Sequence, residues 1–227
     1  MKDYALARLL VAAFFVLTAA GCASRDNTAA TSFTPPPPPP APAALSADQM
    51  VMLGAGKYYS GDGSAPVTMI EFADYECPFC AQDAPIVDQL LEHYKGRLKV
   101  VFRDFPVGHP HSLMLAEAAR CAGEQDAFWK MHDYLFRNIE KLDTTNMGKY
   151  ASLLGMDGPA LESCINSRRY ENLIGADAAL AQQSGARGTP TFFINGKMLD
   201  GLQSYGDLSQ AVDNALAAGQ QAQSPKQ

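Results

Sequence analysis

The most regular run of apolar positions lies in the middle of the chain. Residues 67–73, VTMIEFA, are β-rich and follow the turn-forming Gly61-Asp62-Gly63-Ser64 and Pro66, which predicts a strand. Ile70 and Phe72 fall on one face and Met69, Glu71 and Ala73 on the other. Both faces are mostly apolar, as in a strand covered on two sides. Residues 81–94 then repeat at helical spacing, with Ile86, Val87, Leu90, Leu91 and Tyr94 on one face, and Gly96 closes the helix. Residues 97–103 predict a second strand, so the stretch reads as a βαβ unit. A long helical region follows, with helices predicted over 112–123, 128–139, 147–154 and 169–183, and with Trp129, Leu135, Phe136 and Ile139 as core. Leu208, Ala211, Val212, Ala215 and Leu216 form the i, i+3, i+4, i+7, i+8 stripe of a closing helix packed on the sheet.

The two ends depart from this pattern. Lys2 and Arg8 precede a nearly unbroken apolar run at 9–20, too short to span a bilayer, and Ala19-Ala20-Gly21-Cys22 follow. This resembles a bacterial lipoprotein signal, residues 1–21, with Cys22 as the lipidated residue. The alternative is ordinary cleavage after Ala20, which would leave Cys22 a spare thiol. Residues 22–47 are rich in Ala, Thr, Ser and Pro, with six prolines in a row at 35–40. Such a run favours extended polyproline II and reads as a semi-rigid tether, or as a ligand for a proline-reading module. The domain is expected over 48–218, and the polar end, 219–227, as a disordered tail.

Net charge is −6 and no basic stripe is present, which argues against nucleic acid. The five cysteines are Cys22, Cys77, Cys80, Cys121 and Cys164. Lipidation of Cys22 would leave an even set, as suits an exported chain.

Cys77-Pro78-Phe79-Cys80 stands at the first βα junction. A thiolate attacks a disulfide, so a redox site must stabilise negative charge on sulfur. A helix N-terminus does so through its unpaired N–H groups and macrodipole, and Pro78 suits the first helical turn. Cys77 is therefore expected as the exposed nucleophile and Cys80, three residues on, as the buried resolving thiol. Zinc is the competing use of such a pair, but no second C-x-x-C or finger-spaced His accompanies it. His109 and His111 read as a turn before a helix rather than a metal site, His93 and His132 as helix-surface or partly buried residues, and Glu76 as a solvent-facing acid opposing the thiolate. No metal and no cofactor beyond the Cys77–Cys80 disulfide is expected.

Residues 71–80, EFADYECPFC, closely resemble the active-site segment of DsbA-like thiol:disulfide oxidoreductases, and residues 188–196, GTPTFFING, resemble that family's second signature. The resemblance covers 65–218. It implies an α/β thioredoxin fold with an inserted all-helical subdomain at about 106–186. It implies a cis bond before Pro190, with Pro78, Phe79, Thr189 and Pro190 lining a groove for an extended peptide. Glu71 takes the place of the family's buried acid, where a raised pKa lets it pass a proton to Cys80; the other reading leaves it in water at a strand edge. Some relatives pair cysteines in the insertion, so Cys121 and Cys164 are expected as a structural disulfide, worth roughly 4 kcal/mol on the chain-entropy model, or as a second exchanging pair.

The resemblance implies exported cysteine-containing proteins as substrates, a DsbB-like or DsbD-like membrane redox partner, and a cell-envelope location, periplasmic and lipid-anchored to the outer membrane. DsbA has His where this chain has Phe79, and Thr189 also occurs in isomerase-like relatives. The expectation is an oxidase. An isomerase or reductase kept reduced by a membrane donor, and a non-enzymatic surface lipoprotein, stand as alternatives.

Overall fold

The computed structural model describes residues 44–223. The signal, Cys22 and nearly all of the proline-rich segment lie outside the described residues.

The central strand is β2, Val67–Ala73, buried at almost every position. It runs parallel to β3, Leu98–Asp104, with Glu71 opposite Phe102 and Ala73 opposite Asp104. On its other side it pairs antiparallel with β4, Thr191–Ile194, with Phe72 opposite Thr191. Two short strands complete the edges: β1, Tyr59–Gly61, on β3, and β5, Lys197–Asp200, on β4. The order is β1-β3-β2-β4-β5. Asn195 and Gly196 have φ of 45° and 90°, the left-handed pair that a two-residue hairpin turn needs.

One face of the sheet is covered by α2, Pro78–His93, and α8, Tyr205–Gln223. Their Val87, Leu90, Leu208 and Val212 pack with Val67, Met69, Val100 and Phe192. The opposite face holds Ile70, Phe72, Val101 and Phe193 with Leu53 and Ala181, from α1, Ala47–Gly54, and α7, Glu171–Gln183. Between β3 and α7 come α3, Ser112–Ala122, α4, Phe128–Asn138, α5, Met147–Leu153, and α6, Gly158–Asn166. They form a third core, which reaches the sheet at Ala73 and Phe102 and includes both cysteines of the pair at the start of α2. This is the α/β thioredoxin fold with its helical insertion.

Several boundaries differ from the sequence expectation. The tether was expected to run to residue 47, yet Ser46 caps α1, donating its amide to Gln49 Oε1 at 2.8 Å and accepting from the Gln49 amide at 3.2 Å. That is a capping box, legible as Ser-x-x-Gln. The tail was expected from 219, but α8 runs on to Gln223, through Ala and Gln, which are good helix formers. Helix α6, which carries Cys164, was not anticipated; Asp157 caps it, accepting from the Ala160 amide at 2.9 Å, and a proline stands in its first turn.

A buried ionic cluster ties the layers together. Arg120 of α3 binds Asp104 at the end of β3 and Asp177 of α7. Arg103 also holds Asp177, at 2.8 Å, and donates to the Leu53 carbonyl of α1. Breaking one member would leave an unpaired buried charge, so the cluster fixes register more than it adds stability. Cys121 and Cys164 are joined in a disulfide between α3 and α6.

Candidate active site

The chain leaves β2 at Ala73 and turns through Asp74 to Cys77, whose amide donates to the Asp74 carbonyl at 3.0 Å. Asp74 is the fastener of this turn. Its buried carboxylate accepts from the Glu76 amide (2.9 Å), the Val107 amide (2.9 Å) and the Ser112 hydroxyl (2.7 Å). Sequence reasoning missed it, although an Asp three residues before a helix cap is a common turn signal. Glu76 was expected in solvent. It instead accepts from the His111 amide at 2.6 Å and pairs with His111 Nδ1 at 3.0 Å, clipping the cysteine turn to the start of α3. The His111 hydrogen bonds hold the Glu76 carboxyl below its ordinary range against the opposing effect of desolvation.

Cys77 is the N-cap of α2 and Pro78 its first residue. Cys77 is only 4% exposed, so the exposed thiol of the sequence expectation is corrected. The cis Thr189–Pro190 bond brings the Thr189 carbonyl to 3.4 Å from the sulfur, and the buried Pro190 lies beside it in sequence. Pro78 and Phe79 remain on the surface, Phe79 at 51% exposure. The Cys77 thiol is drawn down to about 5, first by a hydrogen bond from Cys80, then against desolvation by the Thr189 side chain and the Cys80 and Phe79 amides. The Thr189 hydroxyl has no other hydrogen-bond partner, which leaves it to donate to a charged Cys77 sulfur. Cys80 is fully buried, and its thiol is pushed far up by desolvation and by donating to Cys77. The two sulfurs are thus pulled apart in acidity, one charged and one neutral at pH 7.

Glu71 is 3% exposed on the face of β2 beneath α2. Desolvation, then the nearby Asp83 and Asp88, raise its carboxyl to about 8. It lines a cavity of about 270 Å³ with Ala81, Pro85, Asp88, Trp129, His132 and Arg137. Pro85 lacks the N–H that would bond the Ala81 carbonyl, and both residues face this space. The cavity gives a buried carboxyl room for water. His132 was expected at a surface or only partly buried; it is 8% exposed, bonded to the Tyr75 hydroxyl at 3.0 Å, and desolvation lowers it to about 3. It is a neutral packing group in the stripe Phe128, Met131, His132, Leu135, Phe136. A second buried acid, Asp83, lies one turn beyond Cys80 on α2 and escaped the sequence reading.

A Thioredoxin family model matches residues 55–214. The Na(+)/H(+) antiporter NhaA 3 of Salinispora tropica is 40% identical over 160 residues, which are 70% of this chain and 24% of that protein. NhaA 1 of Salinispora arenicola is 38% identical over 159 residues, 69% of this chain and 24% of that protein. The chain thus spans about a quarter of the length of these curated relatives. Among solved structures, a thioredoxin-like oxidoreductase from Silicibacter pomeroyi superposes with a TM-score of 0.66 at 26% identity, over 76% of this chain and 99% of that one. The thiol-disulfide exchange protein alpha-DsbA2 of Wolbachia pipientis gives 0.64 at 24%, over 74% and 90%; at that identity the likeness speaks for the fold. With a strand-to-helix C-x-x-C opposite a cis-proline, the chain belongs to the thioredoxin family.

Proposed function

We propose that this chain is an exported oxidase that passes its Cys77–Cys80 disulfide to cysteines of secreted or envelope proteins. The observation that carries the reading is the split between the sulfurs: Cys77 drawn down to about 5 and Cys80 pushed up. A stable Cys77 thiolate favours the reduced form, and that makes the disulfide a good oxidant. A substrate thiolate attacks Cys77, forming a mixed disulfide and releasing Cys80; a second substrate thiolate then displaces Cys77. In the reverse step Cys80 must lose its proton, and Glu71 is the acceptor. The Thr189–Pro190 backbone and exposed Phe79 would hold the extended substrate. A membrane partner, DsbB-like, would restore the disulfide.

A second reading, an isomerase or reductase held reduced by a DsbD-like donor, is favoured by Phe79. Its ring offers no hydrogen bond to the Cys77 sulfur. Equilibration with glutathione decides between the two. An oxidase is expected to be mostly reduced at a poise where thioredoxin stays mostly oxidised, and Phe79→His is expected to shift it further toward reduction. A potential near thioredoxin's, about −270 mV, would sink the oxidase reading.

The cell-envelope location rests on residues 1–21, read as a lipoprotein signal, with Cys22 as the lipidated residue that follows. The chain would be tethered in the periplasm, to the outer membrane, through its proline-rich segment. Cys22→Ser is expected to move it from the membrane to the soluble fraction; retention in the membrane would remove the lipid anchor.

A further inference from the structure

Asp83 is used by none of the steps above. It sits in the buried stripe of α2 with Cys80, Val87 and Leu90, and is 0% exposed. One carboxyl oxygen accepts a single long hydrogen bond, 3.4 Å, from the Gln203 amide ahead of α8. The other is buried and has no partner. A carboxylate this poorly solvated is costly unless it holds its proton.

The charges that bear on Asp83 are acidic. They are Cys77 on its own helix and Glu71 on β2, which Asp83 in turn pushes upward. Among the described residues, no cation is one of the charges that shift it. On α4, Arg137 is engaged with Asp133 and His132 with Tyr75. On α8, Asp213 accepts from Tyr94 and Asp207 from Ser204. Asp88, farther along α2, lines the Glu71 cavity.

The geometry points to Asp83 as a second, redox-linked proton site of the cysteine pair, a positioning residue that acts on Cys77 through its charge. The inference rests on Cys77 being the attacking thiolate. In the reduced protein Cys77 is a thiolate, Cys80 a thiol and Asp83 a carboxylic acid. On oxidation two electrons pass to a partner disulfide, whose S–S bond breaks into two thiolates as the Cys77–Cys80 bond forms. The Cys80 proton leaves through Glu71. The negative charge on Cys77 is then gone, so Asp83 ionises and gives a second proton to solvent. Two electrons and two protons leave the protein, and its net charge is unchanged. Desolvation, opposed by the Gln203 amide and aided by the smaller effect of the Cys77 charge, raises Asp83 to about 7, which places the event in the working range of pH.

The test follows the reduction potential of the full chain against glutathione, and the ultraviolet absorbance of its thiolate, from roughly pH 5 to 9. The wild-type potential is expected to steepen around neutrality, to two protons per two electrons. Asp83→Asn is expected to lose the additional proton, so that its potential falls with one proton per two electrons through neutrality, and to leave the thiolate absorbance in place, since Asp83 holds its proton over the range in which Cys77 ionises. A potential of Asp83→Asn with the wild-type pH slope would overturn the inference. A purely structural role would lower the melting temperature and leave that slope in place. If the variant fails to fold, carbon-13 NMR of the unmutated chain serves instead, and an Asp83 carboxyl titrating alike in reduced and oxidised protein would also overturn it. Glu71→Gln runs alongside. If it alone flattens the slope, Asp83 is excluded and the proposed role of Glu71 stands.

Discussion

Cys77→Ser is expected to bring insulin-disulfide reduction down to the uncatalysed rate, while Cys80→Ser accumulates mixed disulfides with its substrates. The reason lies in which sulfur is charged. Cys77 is drawn down to about 5 and supplies the thiolate, whereas Cys80 is held neutral by burial. Serine at 77 has no accessible alkoxide at neutral pH, and the Cys80 thiol is too buried to take over. Serine at 80 keeps the attacking group and removes only the escape from the mixed disulfide. The same lowering sets a pH dependence. A group whose folded pKa is depressed stabilises the folded, reduced protein above its unfolded pKa, and the benefit is lost as pH falls through the folded value. Reduced protein is therefore expected to melt higher than oxidised protein at neutral pH, and the gap to close toward and below about pH 5. Paired thermal melts of the two redox forms measure it. A gap that is constant with pH would contradict the assignment.

Glu71→Gln is expected to slow reoxidation by about 10²–10⁴-fold, the usual range for a lost general base, with little change in the Cys77 thiolate. Reoxidation requires the Cys80 proton to leave a site where burial disfavours the thiolate, and Glu71, whose charge bears on Cys80 and which lines the cavity, is the group proposed above to accept it. The stability consequence has the opposite sign to the usual carboxylate. A folded pKa raised from 4.5 to about 8 means that the folded state holds more protons between those values. Stability therefore falls as pH rises through that window, by several kcal/mol in all. Glu71→Gln removes the penalty, so the variant is expected to be the more stable protein at pH 8 while being the slower one. Denaturant melts at pH 5 and pH 8, set beside stopped-flow reoxidation, test both halves. A variant that is slow and equally destabilised at both pH values would show that Glu71 only packs.

The strand, the C-x-x-C helix and the closing helix were legible because each buries a continuous apolar stripe, and such stripes impose periods of 2 or 3.6 residues on the sequence. Glu71, the one charged position in that strand, was singled out through resemblance, with water at a strand edge as the other reading. The cis Thr189–Pro190 bond left no local signal and was visible only through resemblance. Asp83 was missed, and His132 was placed too near the surface, although periodicity marked both. Counting back from Leu90 and Val87 reaches Asp83 and then Cys80, and His132 lies inside the apolar stripe of α4. Polarity argued for the surface and position argued for the core, and position won because burial is decided by the whole helix. The Glu76–His111 and Asp74–Ser112 contacts span 35 and 38 residues. No local pattern encodes such separations.

The helical insertion leaves the sheet after Asp104, which lies opposite Ala73, and returns at Thr191, opposite Phe72. Both of its attachment points thus fall at the end of the sheet where the cysteine turn begins. The electron-carrying pair is built from the sheet and α2, while much of the wall around it is built from the insertion. Evolution or a protein engineer could lengthen, shorten or recharge the insertion away from His111, Ser112 and the cavity residues of α4, changing which polypeptides reach Cys77, without redrawing the sulfur chemistry. Access and reactivity are in this sense separately inherited parts, joined at one seam.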